Sequence, residues 1–306
     1  MPDSGAPAAA PIRPISRAEE KQIAKALSPD VAWPTLALAG ILPAAFATVV
    51  ALGLRQTLPL WVCALVLTPI SYAHYSLVHE SVHGNVVARK PGWTWVNTVV
   101  GWIGSVGLGV AWPALQRTHV RHHSHTNTDE DPDIFVKGSF GALLRKWVIN
   151  TTISLIPLPL KRRLFSTGYD RVAHIFSRSD TRVMTWFDLA QLALLVAALA
   201  TGHGLEWLCL WFAPTKFAIL ILNIFFQWLP HYPFDRTDRY GNTRISLWVG
   251  GRFLTLQQNL HLMHHLWPSV PFYNYGRLFK ALRPVLVAEG SRIEGFGVGR
   301  WTRVKG

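Results

Sequence analysis

Cysteine is almost missing from this chain: there are two in 306 residues, Cys63 and Cys209. That count excludes a framework of several disulfides, a zinc site built on thiolates and a Cys-ligated iron–sulfur cluster. Both cysteines lie in apolar runs, where a free buried thiol is the ordinary state. Acidic residues are scarce too, 17 Asp and Glu against 30 Lys and Arg, for a formal charge of +13. No linker divides the chain. Residues 1–30 are Pro- and Ala-rich and then charged, without an apolar core segment, so no cleavable signal is expected.

What is abundant is hydrophobic sequence, half of all residues, with a positive mean hydropathy. Four stretches approach or exceed the roughly 20 residues that cross a bilayer: Val31–Leu54, Leu58–Val78, Trp186–Thr201 with Asp188, and Trp207–Trp228 with Lys216. The charge of +13 would suit nucleic acid, but its distribution argues for a membrane and against nucleic acid. Four Lys and Arg lie before Val31, 13 between Gly84 and Met184, and 11 after Trp228, leaving only Arg55 and Lys216 elsewhere. Four crossings put those three basic segments on one side, the positive-inside pattern, with contact to anionic headgroups expected there. The expectation is an all-α integral membrane protein of four transmembrane helices, with interfacial helices and a histidine-rich cytosolic cap. Residues 1–30 would be a tail, unordered through Pro14, with an amphipathic surface helix at Ile15–Leu27. Residues 31–283 would form the membrane domain and 284–306 a basic C-terminal tail. Both termini would be cytoplasmic, and the Ala-, Arg- and Pro-rich composition points to a bacterial inner membrane.

The histidines carry the chemistry. His79 and His83; His119, His122 and His123; and His261, His264 and His265 form three clusters at helical spacing, and His231 follows the last apolar stretch. Residues three and four apart share one helix face, and neutral imidazole is the commonest protein metal ligand. One zinc would use three or four ligands, so eight or nine imply two metals. Imidazole-rich donors suit iron, copper, zinc or nickel better than magnesium or calcium. Clusters that share a centre must lie on one side, so Trp93–Trp112 between the first two must not cross. Rich in glycine and too short for two crossings, it reads as an interfacial or re-entrant segment. Trp147–Leu160, interrupted by Pro157 and Pro159, reads as a second one.

Glu80, Asp129, Glu130, Asp131 and Asp133 flank the clusters, either as a solvated acidic loop or as carboxylates that orient ligating imidazoles. His125 is out of register, better suited to a supporting or surface role. His74 reads as a packed or supporting histidine, and His174 and His203 fall outside the pattern.

The boxes His79 to His83, His119 to His123 and His261 to His265 resemble, in order and type, those of the membrane fatty acid desaturase superfamily. That superfamily includes acyl desaturases and carotenoid hydroxylases and ketolases. The tract from His122-His123-Ser124-His125 through Asp131-Pro132-Asp133 is similar to its second box and acidic turn. Asn259 to Pro271 is similar to its third. The resemblance implies that the box histidines and His231 bind two iron ions. It also implies a water-bridged residue near His231, here Gln227 or Asn223. It implies O2 as co-substrate, a lipid taken from the bilayer and an external ferredoxin- or cytochrome-type electron donor. Fatty acyl desaturation is the leading expectation and carotenoid ring hydroxylation or ketolation the alternative. Trp93–Trp112 and Trp267, Phe272, Tyr273 and Tyr275 are candidate walls for the lipid. A histidine-rich metal transporter is the distant alternative. It would need ionisable ligands at mid-membrane, where only Asp188 and Lys216 are on offer.

Overall fold

A computed structural model describes residues 15–165, 172–297 and 300–303; the tail through Pro14 lies outside them. The helices that matter for the site are α1 (Arg17–Ala26), α2 (Trp33–Leu54), α3 (Leu60–Val82), α4 (Trp95–Leu108), α5 (Trp112–His125), α6 (Phe140–Thr152), α7 (Leu158–Leu164), α8 (Arg178–Ala200) and α9 (Gly204–His231). After α9 come β1 (Arg244–Leu247), α10 (His261–Leu266), α11 (Tyr275–Ala288), β2 (Arg292–Gly297) and β3 (Arg300–Arg303).

Four helices, α2, α3, α8 and α9, are long and apolar enough to cross a membrane. They correspond to the four apolar stretches. The third is longer than its apolar run, because Ser177 and Asp180 form a capping box at its start, which reciprocally satisfies two free helix-end amides. In α9, residues 208–212 and 223–228 form π-type turns: the Ala213 amide reaches the Leu208 carbonyl and the Leu229 amide that of Ile224.

The stretch expected to be interfacial or re-entrant is a bent pair. Helix α4 ends at Gly109, whose φ of 63° is left-handed, and α5 leaves at 104° to it. Glycines let α4 lie directly on α3. A Cβ at Gly107 would sit 2.2 Å from the His74 ring, and one at Gly104 2.7 Å from the His74 carbonyl oxygen. Small residues allow this close approach between apolar helices. It also accounts for His74, which is buried and hydrogen-bonded through Nδ1 to the Ile70 carbonyl, as a packed histidine. The second interfacial stretch is α6 and α7, broken at Pro157.

Two expectations are corrected after α9. The protein is not all-α: β1 pairs in parallel with β2, and β2 antiparallel with β3. The segment 284–306 is not simply a tail. Helix α11 runs through Pro284 to Ala288, and β2 and β3 complete the sheet. A separate apolar core holds this cap together, with Ile245, Leu262, Met263, Leu278, Leu282 and Ile293 buried in it. Helix α1 joins that core through Ala24, and its buried Glu20 accepts hydrogen bonds from Tyr240 Oη (2.7 Å) and Trp267 Nε1 (3.3 Å). It is therefore packed on the cap rather than free on a surface.

The tight α3–α4 seam makes a testable demand. Gly107→Ala should destabilise the protein by about 1–3 kcal/mol, the usual range for overpacking, read as a lower melting temperature in detergent. Gly40→Ala, where an added Cβ meets nothing within 4 Å, should not.

Candidate metal centre

Four chain segments deliver nine imidazoles to one place. The end of α3 brings His79 and, just past its last turn, His83. One face of α5 brings His119, His122 and His123. The last residue of α9 is His231, and the short α10 carries His261, His264 and His265. All the proposed ligands meet. His79, His83, His119 and His264 form one group with ligand nitrogens within 4.8 Å of one another, and His122, His231, His261 and His265 form a second. His123 lies between them, its Nε2 3.2 Å from that of His119 and 2.7 Å from that of His264.

The tautomers test whether these rings suit a metal. His231 Nδ1–H donates to Asn127 Oδ1 (3.2 Å), whose own amide nitrogen is committed to the carbonyls of Arg236 and Asn242. His261 Nδ1–H donates to Gln258 Oε1 (2.8 Å). Each ring thus carries its proton on Nδ1, and the Nε2 of each presents a lone pair. Those two lone-pair atoms lie 3.2 Å apart in a buried site. Neither can donate to the other, so a shared cation is what makes the contact favourable. Ligands at right angles around an ion at about 2.0–2.1 Å lie about 3 Å apart, the spacing seen here. His79 Nε2 and His264 Nε2, and His83 Nε2 and His119 Nε2, are each 3.0 Å apart. Burial, with the neighbouring imidazoles, holds His83, His261, His264 and His265 well below the ordinary histidine range. They are therefore neutral near pH 7, the form that ligates.

The surrounding polar groups divide the expected supporting residues. Asp131 accepts from His122 Nδ1 (2.8 Å) and from the amides of Asn127 and Asp133. Asp133 approaches His122 Nδ1 at 3.6 Å and is hydrogen-bonded by Gln227. Burial pushes the Asp133 carboxyl up to about 6. Asn223 and Gln227 line a cavity of about 310 Å³ beside His119, with Tyr75, Leu115 and Phe226 among its apolar walls. Gln227 Oε1 is buried there without a partner among the described residues. His125 turns away, donating to the Arg121 carbonyl and pairing with Glu130, so it does not support the centre. Asn127, Gln258 and Thr126 were not anticipated. Tyr275, expected as a wall, instead bonds His264 Nδ1 at 3.0 Å. Thr126 Oγ1 lies 3.4 Å from His265 Nδ1, and Glu80 Oε1 3.5 Å from His79 Nδ1.

Polyhistidine clusters gathered at the ends of two membrane-length helices, α3 and α9, and on the short α5 and α10 suit the class of histidine-box oxidoreductases. The family model described as fatty acid desaturase matches residues 55–296, and the chain belongs to that family. It is similar to a beta-carotene ketolase of Paracoccus sp. (strain PC1), 25% identical over 71% of this chain and 78% of the ketolase. It is also similar to a Delta(12)-fatty-acid desaturase of Arabidopsis thaliana, 25% identical over 74% of this chain and 66% of that protein. The chain is thus an oxidoreductase of the desaturase and ketolase type.

Loss of a supporting group should be felt first in metal affinity, and through it in the stability of the metal-loaded protein. Tyr275→Phe should weaken metal retention about 10–100-fold, measured by competition with a chelator, and should lower the melting temperature of the metal-loaded protein more than that of the metal-free protein. His264→Ala should lower metal content more than His231→Ala, because His264 also neighbours His123 and the second group.

Proposed function

We propose that the protein is an O2-dependent, two-iron oxidase of a membrane lipid, with fatty acyl desaturation as the leading reaction. The observation that carries it is the pair of four-histidine groups joined by His123, buried beside a largely apolar cavity. His79, His83, His119 and His264 would hold one iron and His122, His231, His261 and His265 the other. Bound there, the irons would supply activation of O2 and cleavage of an unactivated C–H bond. The chain's own residues do the rest. Asn127, Gln258, Asp131 and Tyr275 fix ring orientation, so little reorganisation is needed on binding. Leu115, Tyr75 and Phe226 exclude water, and Gln227 offers an amide next to His119. Desaturation takes two hydrogens from adjacent carbons, and with O2, two electrons and two protons it yields a double bond and two waters. The two electrons come from a donor outside this chain, of ferredoxin or cytochrome type.

Oxidation of a carotenoid ring is the second reading. It is favoured by the greater share of the ketolase that the chain spans, 78%, against 66% of the Arabidopsis desaturase. The one-sided basic charge supports a cytoplasmic histidine site in a bacterial inner membrane.

The protein purified from iron-supplemented cells should carry about two irons per chain. Expression in hosts that supply acyl lipids and carotenoids should produce new unsaturated acyl chains, read by gas chromatography. Altered pigments with unchanged acyl chains would select the carotenoid reading. Unchanged pigments and acyl chains, from protein retaining both irons and a working donor, would reject both.

A further inference from the structure

The segment between β1 and α10 carries apolar side chains that the described residues leave uncovered. Val249 is 100% exposed, Phe253 84% and Leu254 55%. They sit on or beside a single helical turn, Gly251–Leu254, entered through Gly250 at a left-handed φ of 77°. Contiguous exposed apolar surface of this kind marks a contact site.

The depth of the turn identifies what it contacts. The Leu254 carbonyl accepts from Tyr72 Oη at 3.0 Å, and Leu256 packs against the cluster of Tyr72, Leu222 and Phe226. Tyr72 stands ten residues before Val82, the last residue of α3, so it lies roughly 15 Å from the histidine end at 1.5 Å per residue. With 23 residues, α3 is only a few ångströms longer than the hydrocarbon is thick, which puts Tyr72 inside that layer. Its Cβ leans toward the start of the helix, deeper still. The turn therefore dips from the cap to below the membrane boundary, with one side against α3 and α9.

The chemistry of the turn fits that place. Backbone polar groups find no water there and must be satisfied within the protein. The amides of Gly251, Phe253, Leu254, Thr255, Leu256 and Gln257 all donate to carbonyls of residues 248–253, and the Thr255 hydroxyl donates to the Gly251 carbonyl. The one charged residue from Trp248 to Gln257 is Arg252, and it turns back to the cap. A Cβ at Gly276 of α11 would sit 3.1 Å from its Nη1. Long basic side chains at a membrane boundary take this path, stem in the apolar layer and head in the polar one.

We propose that Val249, Phe253 and Leu254 insert into the bilayer hydrocarbon beside α3 and α9 and fasten the cap to the membrane. His261 follows seven residues after Leu254, so the anchor sets the height of α10 over the bilayer. It requires neither iron nor any particular oxidation reaction.

The test uses the full chain in phosphatidylcholine vesicles, with an environment-sensitive fluorophore on a cysteine introduced as Val249→Cys or Phe253→Cys. Leu194→Cys, at a position 57% exposed within α8, is the lipid reference. Glu289→Cys, exposed just past α11, is the aqueous one. The wild-type chain treated alike gives the blank for Cys63 and Cys209. Labels at 249 and 253 should be quenched several-fold more by a nitroxide-bearing acyl chain than by aqueous iodide, as at 194, with emission shifted to the blue of that at 289. Quenching by iodide as strong as at 289 would overturn the anchor. Protection from both quenchers would overturn it too, because a second copy or another protein would then cover the patch. Should a labelled variant not fold, phosphatidylcholine with a photoreactive acyl chain decides on the wild-type chain. Crosslinks within 249–254 are expected, and none there alongside crosslinks in α8 would overturn the proposal.

Discussion

Everything in the cap follows from imidazole nitrogens that face one another with their lone pairs. Such an arrangement is unfavourable without a cation and strongly favourable with one, because metal binding and folding share one free energy. The burial of His122, His231, His261 and His264 removes the water that would otherwise solvate those nitrogens. The surrounding acceptors then fix which nitrogen is bare. Asp131, Asn127 and Gln258 each take a proton on Nδ1 and so turn Nε2 inward. The centre is thus specified twice, by the spacing of the ligands and by the hydrogen bonds behind them.

Those two levels differ in how far they could be read from sequence. The ligands repeat at three and four residues on α5 and α10, a local period visible in any window. The spans are equally local, since each depends on a run of apolar residues. The groups behind the ligands are not. Asn127 meets His231 across 104 positions, and Tyr275 meets His264 only because α11 folds back over α10. No periodicity marks either. Asp131 was legible because the chain turns tightly after His122, and Asn127 at a φ of 64° is part of that turn. The strand pair β1–β2 was hidden for the same reason as Tyr275. Its partners lie 48 positions apart, and the strands are only four and six residues long. The basic character of the C-terminal segment suggested a tail, whereas Arg244 and Arg292 are held by Glu294 and Asp235 within a folded unit.

The lengths of the helices bear on the lipid oxidation proposed for this centre. Helix α9 has 28 residues, roughly 42 Å at 1.5 Å per residue, against a hydrocarbon thickness of about 30 Å. With its first turn at the far boundary, its last eight residues emerge on the opposite side, which carries His231 clear of the hydrocarbon. Helix α3, with 23 residues, emerges by less, and its ligands are correspondingly at its very end. The cavity beside His119 is lined by Ile219, Leu222 and Phe226 of α9, one to three turns before His231 and therefore near the boundary. An apolar molecule could reach the histidines by moving along the helix, without passing through water. In that placement His231 lies outside the hydrocarbon and the apolar cavity at its edge. Shortening α9 by one turn before Ile219 would draw His231 about 5 Å toward the hydrocarbon and set the cost of burying a polar centre against the need to keep the cavity in contact with lipid.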